Sequence, residues 1–206
     1  MARFGLAVEP PVPQFPHDTT QEFRMQNDQI LRRWRRVDEP GLELMALSRS
    51  RSGIDVRSTV IHAGAESFGL RYRWELDASW QTRRLRIDRT DALGKSLLIE
   101  RAGDTGWRVD GEERPDLAVC HEVDVSATPF CNSLAIRRLG NAGGELLALF
   151  FDASSLTCQP SRQRYAPLGP RAWRYVDKGV SDGFTARLDL DEEGFVAKYE
   201  HLFEAF

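Results

Sequence analysis

A chain of 206 residues that is 41% hydrophobic is long enough to bury one well-packed domain. Charged residues make up 29% and the formal net charge is −3, a balance without the net positive field that nucleic-acid binding draws on. No stretch approaches the roughly 20 consecutive apolar residues of a membrane span. The first apolar run stops at Pro10-Pro11 without a signal-peptide core, so a soluble, cytoplasmic protein is expected. Cys120, Cys131 and Cys158 are odd in number and lack C-x-x-C spacing, which argues against a disulfide framework and fits a reducing compartment. Of 28 basic residues only Lys95, Lys178 and Lys198 are lysines, leaving 25 arginines. Arginine suits bidentate recognition of carboxylate or phosphate, but most of these sit on the polar side of alternating strands, where any long charged side chain serves.

Residues 1–18 carry Pro10, Pro11, Pro13 and Pro16 and read as an extended arm. Over Thr19–Val37, Phe23, Ile30, Leu31, Trp34 and Val37 recur at roughly helical intervals behind a Thr19 or Thr20 cap. A short helix is expected there, with a strand starting near Trp34 as the competing reading. Arg32, Arg33, Arg35 and Arg36 surround Trp34, but the apolar positions are too few for an interfacial membrane helix. Pro40-Gly41 ends the segment, and from Leu42 the chain is β-like. Phe68, Leu70, Tyr72, Trp74 and Leu76 alternate with polar residues, as do Leu85 and Ile87, Ser96–Arg101, Trp107–Val109, Cys120–Ser126, Phe184–Leu190 and Phe195–Tyr199. Asp91–Gly94, Asp104–Gly106, Asp110-Gly111 and Asp191–Gly194 supply the turns. Glu145–Asp152 contains L-L-A-L-F-F, a run that fits a strand covered on both faces, and Ser161–Val176 is a strand pair around Gly169-Pro170. Ten or more strands in a meander must curl or close to hide an apolar face.

The rhythm breaks at Asp124–Leu139. Thr128 is a candidate N-cap with Pro129 at the first helical position. Phe130, Cys131, Leu134, Ala135, Ile136 and Leu139 then cover most of a helix circumference, so this helix is buried nearly all round. Asn132 and Ser133 need hydrogen-bond partners inside, and Arg137 and Arg138 fall in the last turn, where positive charge complements the helix dipole. The two arginines either cap the helix and pair with Glu122 or Asp124, or hold the anionic or polyol end of a ligand.

The same segment carries a resemblance. V-D-V-S-A-T-P-F at Val123–Phe130 and N-S-L-A-I-R-R-L at Asn132–Leu139 resemble the signature of the glycolipid-binding family, formerly a domain of unknown function. Supporting matches are W-R-R-V-D-E-P-G-L-E at Trp34–Glu43, Y-R-W-E-L-D-A-S-W at Tyr72–Trp80, R-R-L-R-I at Arg83–Ile87 and the stretch Asp182–Val196. Ala135 stands where the pattern has Pro and Cys131 where it has Thr. The resemblance covers Trp34 to the C-terminus, which gives one domain over residues 34–206 and leaves 1–33 as an arm outside it. It implies a mainly β fold, a spiral β-roll in which a long curled antiparallel sheet wraps a single central α-helix. It further implies a likeness to bacterial lipoprotein carriers, a homodimer, glycolipid binding and no catalytic residues.

Enzymatic readings are weaker. Ser126, His121 and Asp124 lack a nucleophile elbow, and His121 points away from the other two on a regular strand. Glu122 and Asp124 share a face and form an acid–base candidate, with salt bridges to arginines as the plainer use. The four histidines have no metal-ligand spacing, and an apolar helix raises the thiol pKa of Cys131. No metal or cofactor is expected. The leading expectation is non-enzymatic binding of an amphipathic small molecule: tail among Phe130, Leu134 and Trp74, polar end at Asn132, Arg137 and Arg138, with Asp124 nearby. An enzyme acting on sugar or lipid substrates through the carboxylates near Asp124 is the first alternative. A structural module whose interior is simply full is the second.

Overall fold

The computed structural model describes residues 29–92, 94–103 and 106–206. The arm and residues 19–28 of the expected helix lie outside the described residues. The first half of the chain is a meander of eight strands: β1 Ile30–Arg36, β2 Gly41–Ser50, β3 Gly53–His62, β4 Phe68–Leu76, β5 Thr82–Arg89, β6 Ser96–Ala102, β7 Gly106–Val109 and β8 Glu112–Glu113. The second half runs β9 Glu122–Val125, α1 Phe130–Leu139, β10 Gly144–Asp152, β11 Thr157–Gly169, β12 Ala172–Asp177, β13 Thr185–Leu190, β14 Val196–Tyr199 and β15 Phe203–Ala205. All fifteen strands form one sheet, in the order β8 through β1, then β15 back to β9. The expected curled sheet around one helix is therefore present. One pair departs from the antiparallel expectation: β9 runs parallel to β10, because α1 carries the chain back between them.

The first and last strands pair in the middle of the sheet, Trp34 opposite Ala205. Its two edges, β8 and β9, are neighbours in sequence. Residues 114–121 bridge the gap between them, held by Arg101 Nη2 on the His121 carbonyl at 2.7 Å and Trp107 Nε1 on the Cys120 carbonyl at 3.0 Å. The sheet thus curls almost to closure without becoming a hydrogen-bonded barrel.

Residues 30–36 form a strand rather than the C-terminal half of a helix. β1 pairs on one side with β2 and on the other with β15, so its backbone groups are satisfied in a ladder that a helix would leave broken. The basic quartet splits between the two faces of this strand. Arg32 bonds Asp191 at 2.8 Å and Arg36 bonds Asp38, while Arg35 reaches Glu204 at 2.6 Å, so no basic stripe forms.

Helix α1 is the axle. Phe130 through Ile136 are all buried. Thr128 Oγ1 accepts the Phe130 N–H at 3.2 Å, and Pro129 takes the N-cap position, one place before that expected of it. At the far end Gly140, at φ 61°, supplies the left-handed residue that lets its N–H return to the Ile136 carbonyl. The polar residues inside find partners. Asn132 Nδ2 donates to the Tyr165 hydroxyl at 3.0 Å, and Ser133 Oγ accepts the Val196 N–H at 3.0 Å.

The phase of β2 is the reverse of what Leu42-Glu43-Leu44 suggests. Met45 and Leu47 face inward, so Glu43 faces inward too, 3% exposed, while Leu42 and Leu44 stand outside. Among the described residues no helix is long and apolar enough to cross a membrane.

Candidate functional site

The sequence-derived site residues do not meet in one place. Phe130, Trp74 and Leu134 are 0%, 0% and 1% exposed and form the packed interior, with the Trp74 and Phe130 rings edge to face at 5.5 Å. Leu134 also borders a cleft at the far end of the helix. The Trp74 indole N–H is satisfied by Thr82 Oγ1 at 2.9 Å. The remaining four residues separate to the two ends of α1.

At the N-terminal end, Asp124 and Asn132 open on a cavity of about 250 Å³. One wall is aromatic: Phe150, Tyr175, Phe184, Tyr199 and Phe203, from four strands and one turn. Tyr175 stands 5.9 Å from Tyr199 and 6.3 Å from Phe184, ring centre to ring centre. Asp177 and Ser181 add further polar groups to the lining, and among the described residues no Arg, Lys or His lines the space. Beneath it runs a satisfied chain of polar groups. Asn132 donates to the Tyr165 hydroxyl, Tyr165 to Gln163 Oε1 at 3.0 Å, and Gln163 Nε2 to Asp124 Oδ2. The Cys131 thiol donates to Asp124 Oδ1 at 2.9 Å. Burial raises the pKa of Asp124 against these two bonds, and nearby Asp177 pushes the same way. Burial likewise lifts the Cys131 thiol well above its ordinary value, so it is a hydrogen-bond donor and no nucleophile. Among the described residues the Tyr175 and Tyr199 hydroxyls have no hydrogen-bond partner.

At the C-terminal end, Arg137, Arg138 and Leu134 border a separate cleft of about 390 Å³ with Ser79, Trp80, Gln81 and Glu122. Arg138 pairs with the buried Glu122 at 2.9 Å, as the structural reading of that arginine required. Asp124 pairs with no arginine. Glu122 and Asp124 line different spaces. Ser126 lines the same cavity as Asp124, with its Oγ accepting the Ala153 N–H at 3.0 Å, but His121 is exposed and joins neither. Among the described residues no three metal-ligating side chains cluster.

Sequence reasoning missed Tyr175, Asp177, Phe184 and Tyr199, which read as ordinary core or turn residues. It also missed Glu43. Glu43 Oε1 accepts the Ser58 and Tyr72 hydroxyls, both at 2.7 Å, while Oε2 lacks a partner of hydrogen-bond geometry. Burial raises this carboxyl to about 7 against the pull of the Thr128, Tyr72 and Ser58 hydroxyls. The signal was the phase conflict between Leu42 and Leu44 on one parity and Met45 and Leu47 on the other.

A family model described as "Putative glycolipid-binding" matches residues 31–205. A crystal structure of a DUF1089 family protein from Pseudomonas aeruginosa is similar at 28% identity, covering 79% of this chain and 91% of that one with a TM-score of 0.65. No curated protein matches.

Proposed function

The chain belongs to the glycolipid-binding family, and on that premise we propose that it is a non-enzymatic binder of an amphipathic small molecule, taken at the N-terminal end of α1. The observation that carries this is the cavity itself: its lining joins an aromatic wall and two tyrosines to Asp124, Asp177 and Asn132, with no cation among the described residues. Carboxylates and an amide accept and donate to hydroxyl groups, and aromatic rings cover the apolar face of a sugar ring. Two carboxylates repel an anionic headgroup, so the ligand is uncharged at its polar end, as a glycosyl group is. At about 250 Å³ the space lies below the roughly 300–1,000 Å³ of drug-sized sites, which suits one sugar-sized unit with its tail directed outward. The interior around α1 takes no part. The three unpaired cysteines support work in a reducing compartment such as the cytoplasm.

Octyl β-glucoside below its micellar concentration is expected to bind in isothermal titration calorimetry, and Phe184→Ala to weaken it about tenfold, the loss of one aromatic contact. Native mass spectrometry before and after organic extraction should show a co-purified neutral lipid. A clean mass together with no heat from the glucoside would overturn the reading.

The homodimer is part of the same proposal, through the outer face of β1–β3. Leu31, Leu42, Leu44 and Ile61 stand 56%, 53%, 52% and 57% exposed there, with Leu42 directly opposite Ile61. A grouped apolar patch on a sheet face marks an interaction surface, and a second copy supplies the same patch across a two-fold axis. Sedimentation velocity should give a dimer that Leu44→Asp converts to a folded monomer. A monomeric parent protein would dismiss the pairing.

A further inference from the structure

The cleft at the C-terminal end of α1 has charge that the fold does not use. Basic residues in a last turn complement the helix dipole, which accounts for their sign. Three observations go beyond that. First, five guanidiniums, of which Arg137 and Arg138 line the cleft, stand among four carboxylates, one of them Asp77 of the Trp80 turn. Arg138 takes Glu122, and Arg32 takes both Asp191 and Glu193, at 2.8 and 2.9 Å. Arg101 stacks on Trp107 at 3.9 Å and bonds only backbone carbonyls. Arg49 and Arg137 have no ion pair among the described residues, and both lie over the Trp80 ring, at 5.1 and 4.3 Å. Second, Arg137 Nη2 donates to the Glu193 carbonyl while its buried Nε has no acceptor. Third, Trp80 sits at φ 67°, a left-handed conformation that a bulky residue adopts only under constraint. Asp77 Oδ1 holds the turn by accepting the Ser79 and Gln81 N–H groups, at 2.8 and 3.0 Å. Among the described residues the side chains of Ser79 and Gln81 make no hydrogen bond, and both border the cleft. A strained tryptophan that gathers two unpaired guanidiniums beside free polar side chains is arranged for something the chain itself lacks.

The geometry points to a second binding site here, an oxyanion site that takes a phosphate- or sulfate-class group on Arg137 and the free N–H groups of Arg138, with Arg49 of the neighbouring groove adding its charge across the Trp80 ring. Guanidinium is the side chain that matches such groups in shape and charge. The site is independent of the neutral cavity at the other end of α1 and shares no residue with it.

Trp80 reports on it. Trp34, Trp74, Trp107 and Trp173 are 4% exposed or less, whereas Trp80 is only partly buried. Inorganic phosphate, titrated at constant ionic strength against chloride, should change the tryptophan emission saturably, and Trp80→Phe should remove that change while calorimetry still shows binding. Arg49 is exposed and unpaired, so Arg49→Gln keeps the fold and should weaken phosphate about tenfold. Arg137→Gln should weaken it further where it folds. A parallel arm uses dihexanoyl phosphatidic acid. Binding of both probes shows that the phosphate group is recognised whatever it is attached to. Binding of one alone assigns the source, free anion or lipid headgroup. Binding of neither, or unchanged affinity in Arg49→Gln, would overturn the site.

Discussion

Phe130→Ala is expected to destabilise the protein by about 3–5 kcal/mol, the range for emptying a well-packed aromatic site. Phe130 is fully buried and is the first residue of α1. Its ring is the junction of an aromatic row that crosses the interior: Trp80 to Phe195 at 6.1 Å, Phe195 to Phe130 at 6.2 Å, Phe130 to Trp74 at 5.5 Å and Trp74 to Tyr72 at 6.1 Å. The surroundings cannot collapse into the hole. Ser133 fixes the axle to Val196, and the Trp34 indole N–H bonds the Val196 carbonyl at 2.7 Å. Urea denaturation with a common m-value measures the change. A loss below about 1 kcal/mol would mean that the row relaxes around the gap. Phe130→Leu, which keeps most of the volume, should cost much less.

The second large effect is a dependence on pH centred on Glu43. Its carboxyl is raised from 4.5 to about 7 by burial. The folded protein therefore holds its proton where the unfolded chain has released it. Stability from this group is fully present below pH 4.5, declines as pH rises, and levels off above about 7, a loss of about 3 kcal/mol. Glu122 and Asp124, also raised by burial, act in the same direction. Glu43→Gln keeps an acceptor for Ser58 and Tyr72 but cannot ionise. The difference in unfolding free energy between parent and variant, measured at pH 5 and pH 8, should thus shift by about 2.5 kcal/mol in favour of the glutamine at the higher pH. An identical pH profile for the two proteins would show that Glu43 does not titrate in this range. The carboxyl group lies beside Thr128, which also lines the cavity at the N-terminal end of α1.

How far the residues alone lead is clearest along α1. A buried axle was legible because its apolar side chains surround the helix, and the need of Asn132 and Ser133 for partners followed from burial of polar groups. The separation of Asn132 from Arg137 was also present in the numbers, since five residues turn a helix by about 140° and place the two on different sides. The strands of the meander were legible through two-residue alternation, but alternation does not fix which parity faces in when both parities carry apolar residues. In β2 that choice is settled by the neighbouring strands, with Trp34 of β1 opposite Glu43 and Val60 of β3 on the other side. The helix expected over Thr19–Val37 does not extend through residues 30–36, because the ladder that claims them is completed by β15, far away in sequence. The aromatic wall of the cavity was hidden because Phe150, Tyr175, Phe184 and Tyr199 each look like core. Only the curvature of the sheet leaves a space between them and the helix.

The order of the strands bears on how such a sheet is assembled. β1 to β8 form by successive hairpins, as do β10 to β15, so most contacts join segments that are close along the chain. The parallel β9–β10 pair needs only the return through α1. One pairing, β1 with β15, spans nearly the whole described sequence. The entropy of closing a long loop is therefore met once, at the seam where two ready-made meanders join, instead of at every strand as in a Greek-key sandwich. In a fifteen-stranded sheet organised in this way, one seam carries the strand pairing of greatest sequence separation.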